Sequence, residues 1–238
     1  MKVGGIEGRN LAFWGGGGLG DCQEGVAPVG ETGVMDAMHP YEALPLSTVG
    51  LVVGVYLVLA HGLMLAKGEF CRGWLKRLPR HGNAGVWAMG IALLWFWLLV
   101  APDIRGSFSW LGALSMDLGE FNGLKPTLRI AVPLAYVGVV ILVKEFLFVR
   151  GLGVIAMLAA APMLDAAFLK EPGSRVFLSL FAYILLTKGM FWVGMPFTFR
   201  DAVTWATQTE MRWKVLAGVG LVYGVVVLGL SLTVWRGH

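Results

Sequence analysis

The chain has 238 residues, of which 57% are hydrophobic and only 14% are charged, and its mean hydropathy is +0.71. Soluble domains are about 45–50% apolar and about 25% charged, so this composition excludes an ordinary soluble globular protein and indicates a membrane protein. The formal net charge of +4 does not call for a nucleic-acid partner, because no soluble basic domain carries it.

Residues 1–37 differ from the rest of the chain. They are rich in glycine and acidic, and they lack the apolar run of about 7–15 residues that a signal peptide needs. We interpret this segment as disordered. A second interpretation stays open, in which the true start is Met38 and the preceding residues are not translated. In both cases residues 38–238 are predicted to form one domain, and function is expected there.

Six apolar segments follow, each close to the roughly 20 residues that cross a membrane as a helix. Their length and the scarcity of strict alternation favour helices over barrel strands. The sequence therefore predicts an all-α, polytopic transmembrane helical bundle of about six spans. Only residues 150–153 separate the third and fourth segments, which form either a tight hairpin or one long broken helix. The predicted spans are 45–67, 85–102, 129–149, 151–169, 175–195 and 214–235.

Two connections between the spans are basic and aromatic. The connection after the first span interleaves cations with Phe70 and Trp74, and residues 197–214 repeat this composition after the fifth span. Both are typical of short amphipathic helices that lie in the membrane interface, so we expect membrane lipids as partners. The predicted lipid-interface cations of the first connection are Arg72, Lys76, Arg77 and Arg80.

The basic residues also indicate an orientation. Nine Lys or Arg side chains lie in the connections after the odd-numbered spans, against six on the opposite side. Cationic connections are expected on the cytoplasmic face, so both termini are predicted to face away from the cytoplasm. The expected location is a cell membrane, with a bacterial inner membrane favoured.

The ionisable side chains His61, Glu145, Asp165 and Lys188 fall inside the predicted spans, with Lys144 beside Glu145. An ionised group at the membrane centre costs about 2.5–17 kcal/mol, depending on how the cost is measured, so such groups are expected to find partners or an interface. At a rise of about 1.5 Å per residue, His61, Glu145 and Lys188 lie within about 5 Å of one level, and Asp165 lies roughly 12 Å away. We predict a polar intramembrane layer in which Lys188 pairs with Glu145 and His61 forms a hydrogen bond nearby, with Asp165 isolated.

The polar layer has several interpretations. A buried ion pair fixes the register between helices without carrying a substrate, and this structural role is favoured. A proton or ion pathway and a substrate-binding site remain open. Lys188 can also extend its charge to the nearer interface and need no partner.

Two GxxxG pairs, Gly50 with Gly54 and Gly220 with Gly224, predict close approach of helix backbones. We expect this close packing inside the bundle rather than at the seam of a dimer.

Motifs for catalysis and cofactors are missing from the sequence. Haem between two spans would want paired histidines, and only His61 lies within a span. Neither a hydrolase GxSxG motif nor a zinc HExxH motif is found, so no cofactor, metal site or catalytic residue is predicted. Asp117 and Glu120 are interpreted as an exposed loop end rather than as a lipid-transferase site.

The leading functional interpretation is a non-catalytic accessory or scaffolding membrane subunit with other membrane subunits as partners. The first alternative is a small secondary transporter or proton-coupled carrier, which needs a water-accessible cavity that reaches Glu145 and Lys188. The second is a lipid-modifying enzyme, which needs titratable side chains that converge at a membrane face. An accessory subunit should instead seal and pair the intramembrane charges and leave a large apolar flank open.

Overall fold

The computed structural model describes residues 41, 44–78, 82–102, 111, 114–143 and 145–237. These ranges contain eight α-helices and no strand, and six helical segments are long and apolar enough to cross a membrane. The predicted all-α bundle of six spans is therefore confirmed, and the chain is a multi-pass membrane protein. The predicted disordered segment, residues 1–37, lies outside the described residues.

Six long helices and two short ones follow one another along the chain. The short helices, α2 and α7, coincide with the two basic amphipathic connections, and both lie at what we call the basic side of the bundle. In chain order the helices are α1 (Leu46–Ala66), α2 (Gly68–Arg77), α3 (Gly82–Val100), α4 (Lys125–Leu142), α5 (Leu147–Ala167), α6 (Val176–Gly194), α7 (Phe197–Thr207) and α8 (Glu210–Leu232).

The third and fourth spans are two separate helices joined by a tight turn. The break lies between Leu142 and Leu147, earlier than the expected break at 150–153. Phe146 adopts a left-handed conformation, with φ 56° and ψ 24°, which a right-handed helix does not contain. Its partly buried side chain packs against the cluster of Val149, Phe199 and Val203, so burial of the ring stabilises the turn. The hairpin alternative is correct, and its position is corrected.

α1 and α8 pack antiparallel, and their glycines set the spacing. A Cβ atom at Gly54 would lie 2.9 Å from the backbone of Leu228, and one at Gly224 would lie 3.0 Å from the backbone nitrogen of Val58. Real Cβ atoms essentially never come within 3.0 Å of such atoms, and a Cβ atom at Gly224 would also lie 2.8 Å from the Cβ atom of Leu57, so each glycine permits a contact that a larger residue would block. Close packing at the GxxxG pairs inside the bundle is therefore confirmed.

Tryptophan side chains fix both ends of α8. At the basic side, Trp213 Nε1 donates to the carbonyl oxygen of Met64 in α1 over 2.9 Å. At the opposite side, the fully buried Trp235 donates from Nε1 to the hydroxyl of Ser174 over 2.9 Å, and its ring covers Gly50. α8 is thus anchored to α1 along its length and to the start of α6 at one end.

α5 is the central helix of the second group. It runs parallel to α3, where a Cβ atom at Gly151 would lie 2.8 Å from the backbone of Ala88. It runs antiparallel to α6, where a Cβ atom at Gly153 would lie 2.8 Å from the carbonyl oxygen of Gly189. Small residues on two faces of α5 therefore let it pack tightly between α3 and α6.

α4 lies at the edge of the bundle and packs mainly against α3. Hydrogen bonds connect α4 to α3 and to the residue after it. Trp97 Nε1 donates to the Arg129 carbonyl over 3.2 Å, Arg129 Nε donates to the Ala101 carbonyl over 2.8 Å, and the Tyr136 hydroxyl donates to the Val86 carbonyl over 3.3 Å. Only 11% of the span that contains α4 is buried, against 33% of the span that contains α5. Most of the α4 surface is thus left open.

Two apolar clusters hold the bundle together at different depths. On the side opposite the basic side, Leu46, Ala166, Leu178 and Val227 bring together α1, α5, α6 and α8. On the basic side, the cluster around Val149 instead joins α5 to α2 and α7. Among the described residues, α1, α5, α6 and α8 all contribute to the cluster opposite the basic side, whereas α5 and α6 also contribute to the cluster on the basic side.

Candidate functional site

Lys188 and Glu145 do not form the predicted ion pair. Both residues are exposed, and no ion pair joins them within the described chain. Glu145 lies in the turn after α4 rather than inside a span, because α4 ends at Leu142. α6 packs against α5 with Gly189, the neighbour of Lys188, beside Gly153. Gly153 follows Glu145 by eight residues, which corresponds to about 12 Å at the rise of a helix. The helix register therefore separates the two charges.

His61 belongs to the packing between α1 and α8. Its Nδ1 atom forms a hydrogen bond of 2.9 Å with the carbonyl oxygen of Leu57, one turn earlier in the same helix. The other edge of the ring faces Gly220, where a Cβ atom would lie 2.1 Å from Nε2. His61 is therefore used within the α1/α8 contact and is not part of a layer with Lys188.

The remaining predicted residues lie near the ends of helices. Asp165 is partly buried in the last turn of α5, on the side away from Lys188. Lys76 and Arg77 are exposed in the last turn of α2, and the partly buried Arg72 donates from Nε to the Gly68 carbonyl over 3.3 Å. Arg80, predicted as a lipid-interface cation, lies outside the described residues.

α6 and α8 touch through aromatic side chains near the side opposite the basic side. The ring of Tyr223 in α8 lies 6.4 Å from the ring of Phe177 and 6.1 Å from the ring of Phe181, measured between centroids. The Tyr223 hydroxyl also donates a hydrogen bond to the Phe177 carbonyl. This contact fixes which face of each helix points at the other.

The same face of α6 becomes exposed toward the basic side. Phe177, Phe181, Ile184 and Lys188 are spaced by four, three and four residues, so they lie on one face of the helix. Ile184 is 44% exposed and Lys188 is also exposed, although both lie on the face of α6 that contacts Tyr223 nearer the start of the helix. α6 therefore loses its contact with α8 before it reaches Lys188.

α8 shows the matching change on its own side. Arg212, Leu216, Val219 and Tyr223 have the same spacing and share the face that points at α6. Leu216 is 42% exposed and Val219 is 64% exposed. The faces of α6 and α8 that meet at Tyr223 are thus both exposed between Tyr223 and the basic side. We call the space between Ile184 and Lys188 on α6 and Arg212, Leu216 and Val219 on α8 the α6/α8 cleft.

Arg212 is held in place at the mouth of the cleft. Its guanidinium carbon lies 5.0 Å from the centre of the Trp205 ring, and Nη1 donates to the side-chain oxygen of Gln208 over 2.7 Å. The backbone nitrogen of Arg212 also donates to the hydroxyl of Thr209, which caps the start of α8. These contacts are neutral, so Arg212 keeps its full positive charge.

The two cations of the cleft lie on the same side of the aromatic contact and differ in depth by about 6 Å. Lys188 is seven residues beyond Phe181, and Arg212 is eleven residues before Tyr223, which at about 1.5 Å per residue gives about 11 Å and about 17 Å from the aromatic contact. Neither cation forms an ion pair with a carboxylate of the described chain. The mouth of the cleft therefore carries two positive charges that the described chain does not neutralise.

The placement of Lys188 and Arg212 on the helix faces that meet at Tyr223 was not predicted from the sequence. The signal was present, since Lys188 lies on the helical face of two aromatic residues, Phe177 and Phe181, at spacings of eleven and seven. Which helix those aromatic side chains contact depends on the tertiary arrangement, which periodicity does not contain.

Asp117 is used locally in the approach to α4. Its carboxylate accepts hydrogen bonds from the backbone nitrogen of Gly119, over 2.9 Å, and from the side-chain amide of Asn122. The hydrogen bond from the Asn122 side chain is the larger cause, and the hydrogen bond from the Gly119 backbone the second, of a pKa of Asp117 below its ordinary value. Glu120 is exposed nearby. This geometry agrees with a loop end rather than with two carboxylates that converge on a substrate.

The cleft and the open face of α4 are therefore the two surfaces on which a functional argument rests. No protein-family model matches the chain, and no curated protein or solved structure matches it either.

Proposed function

We propose that the protein is a non-catalytic accessory or scaffolding subunit of a bacterial inner membrane and that it binds another membrane protein through α4. The observation that carries this proposal is the open face of α4. Along it, Ile130, Leu134, Val137 and Ile141 are each more than half exposed and are spaced by four, three and four residues. This spacing places four aliphatic side chains on one stripe, as in helices that pack side by side.

A row of small residues beside this stripe supports a protein partner. Ala131 and Ala135 are exposed, and a Cβ atom at Gly138 would meet nothing within 4 Å. Helices in lipid associate through close packing at small residues, because lipid tails provide no hydrophobic driving force for their association. In the α1/α8 and α5/α6 contacts such residues are covered by a neighbouring helix, whereas on α4 they are open.

The alternatives lose their support in the geometry. The transporter interpretation rested on a layer formed by Lys188 and Glu145, which lie apart and exposed. The enzyme interpretation rested on converging titratable groups, whereas Asp117 is engaged in a local turn. The expectation that an accessory subunit would pair the intramembrane charges is not met either, so the proposal rests on α4 alone.

The experiment fills the small-residue row and measures the size of the native particle. The full chain is extracted from its membrane in mild detergent and analysed by blue native electrophoresis. We expect a complex heavier than the monomer, and we expect Gly138→Leu to release the monomer because the larger side chain blocks the approach of a second helix.

The matched control is Gly218→Leu in α8, where a Cβ atom also meets nothing within 4 Å. This variant is expected to keep the complex. The proposal fails if the unsubstituted chain runs only as a monomer, or if Gly138→Leu leaves the complex intact.

A further inference from the structure

The α6/α8 cleft combines exposed apolar side chains with two cations, as a lipid site does. We propose that it binds one anionic phospholipid, with the headgroup phosphate between Lys188 and Arg212 and an acyl chain along Ile184, Leu216 and Val219. The proposed role of α4 does not enter this inference, because the cleft lies on different helices.

The charge of the site selects the headgroup. Lys188 shares the face of Phe181 on α6, Arg212 shares the face of Tyr223 on α8, and these two faces meet at the aromatic contact. Neither cation forms an ion pair with a carboxylate of the described chain. The nearby carboxylates of Asp201 and Glu210 are already used, because they pair with Arg200 over 2.9 Å and with Lys214 over 2.7 Å. A phosphate supplies the missing negative charge, and a guanidinium that is already oriented by Trp205 and Gln208 loses little freedom when it binds one.

The depth of the cleft selects a lipid over a protein helix. Its apolar walls extend about 11–17 Å from the cations to the Tyr223 contact, which closes it. Half of a hydrocarbon core of about 30 Å is about 15 Å, so the cleft matches one leaflet. A helix that spans the membrane needs about 20 residues and would collide with the aromatic contact. A lipid chain from the leaflet on the basic side ends where the cleft ends.

The position of the cleft also agrees with a headgroup. The mouth lies at the basic side, next to α7 and the start of α8, where Arg200, Lys214 and the half-exposed Trp205 are found. Cations and tryptophans of this kind are typical of the level of the lipid headgroups. The phosphate of a lipid in the cleft therefore lies at its ordinary depth in the membrane.

The experiment measures lipid retention by the full chain. The protein is purified in a mild detergent, mixed with phosphatidylglycerol or with phosphatidylcholine, and analysed by native mass spectrometry. We expect one phosphatidylglycerol to bind at least about tenfold more tightly than phosphatidylcholine. The double variant Lys188→Gln/Arg212→Gln should lose this preference, and Lys188→Arg should keep it. The matched control, Lys67→Gln/Arg236→Gln, removes the same charge from exposed positions outside the cleft and should retain it.

A second variant separates the cleft from general attraction of charge. Val219→Trp fills the open wall and leaves both cations in place, so it should weaken phosphatidylglycerol binding at least about fivefold. Inorganic phosphate at equal concentration should not compete, because it lacks an acyl chain. The proposal is overturned by equal binding of the two lipids, by an equal loss in the Lys67/Arg236 control, by full competition from phosphate, or by unchanged binding in Val219→Trp. Loss of a co-purifying protein in the double variant, with lipid binding unchanged, would also overturn it.

Discussion

The imidazole ring of His61 lies directly against Gly220, with Nε2 only 2.1 Å from the position that a Cβ atom of residue 220 would occupy. The ring is held there by the bond from Nδ1 to the Leu57 carbonyl. His61, predicted as a member of a polar layer, thus packs between α1 and α8, and Gly220 provides the space for its ring.

The first prediction tests the contact between His61 and Gly220. Gly220→Ala should destabilise the protein by about 1–3 kcal/mol, because the methyl group displaces the ring and breaks its bond to Leu57. Gly218→Ala, in the same helix but facing open space, should be neutral or stabilising by up to about 1 kcal/mol. Thermal unfolding of the purified protein measures both.

A rescue experiment completes this prediction. In a His61→Ala background the ring is gone, so Gly220→Ala should cost at least about 1 kcal/mol less than in the unsubstituted chain. An equal cost in both backgrounds would show that the two residues do not interact.

The second prediction concerns the close approach of α5 and α6. A Cβ atom at Gly189 would lie 2.7 Å from the carbonyl oxygen of Gly153, and a backbone atom cannot move aside as a side chain does. Gly189→Ala should therefore cost at least as much as Gly220→Ala, about 2–3 kcal/mol. Gly194→Ala, at the end of the same helix with nothing within 4 Å, is the control and should stay within about 1 kcal/mol of the unsubstituted protein.

The third prediction concerns the charges that were expected to pair. Since Lys188 and Glu145 lie apart and exposed, a double-mutant cycle of Lys188→Met and Glu145→Gln should give a coupling energy within about 0.5 kcal/mol of zero. The free energy of unfolding of the four proteins provides the measurement. A coupling well above about 1 kcal/mol would restore the predicted ion pair and contradict the observed register.

The difference between the predicted and observed positions of Glu145 shows what a sequence does and does not contain. Hydropathy predicted all six spans, because about 20 consecutive apolar residues are the length that a helix needs to cross a membrane. It also ran the third span through residue 149, since residues 143–149 are apolar apart from Lys144 and Glu145. The ring of Phe146, which has the left-handed conformation, is partly buried against the cluster of Val149, Phe199 and Val203, and this cluster brings together distant segments of the chain.

The packing of glycines was more accessible to prediction. Spacing alone placed Gly54 and Gly224 on helix contacts, because four residues return to the same helical face. The partner helices were not predictable in this way. Gly50 and Gly220 meet Trp235 and His61, and only the folded bundle brings these residues together.

The fourth prediction is a pH dependence outside the membrane. The hydrogen bonds from Asn122 and Gly119 lower the pKa of Asp117, so the folded turn favours the ionised carboxylate. Its contribution to stability is therefore complete above the ordinary aspartate pKa and is lost as the pH falls through the lower pKa of the folded state. Asn122→Ala removes the larger cause and should raise the pKa of Asp117 toward its ordinary value. A carboxyl-carbon NMR titration measures this shift, and an unchanged pKa would contradict the assigned cause.

The central claim is that the open stripe of α4 contacts another membrane protein. A photo-reactive amino acid placed at Leu134 or Val137 tests this in intact membranes, with Val52 and Leu59 on α1 as controls of similar exposure. The α4 positions are predicted to give one discrete cross-linked protein band, and the α1 positions are predicted to give none. Cross-links to lipid alone from all four positions would contradict the account.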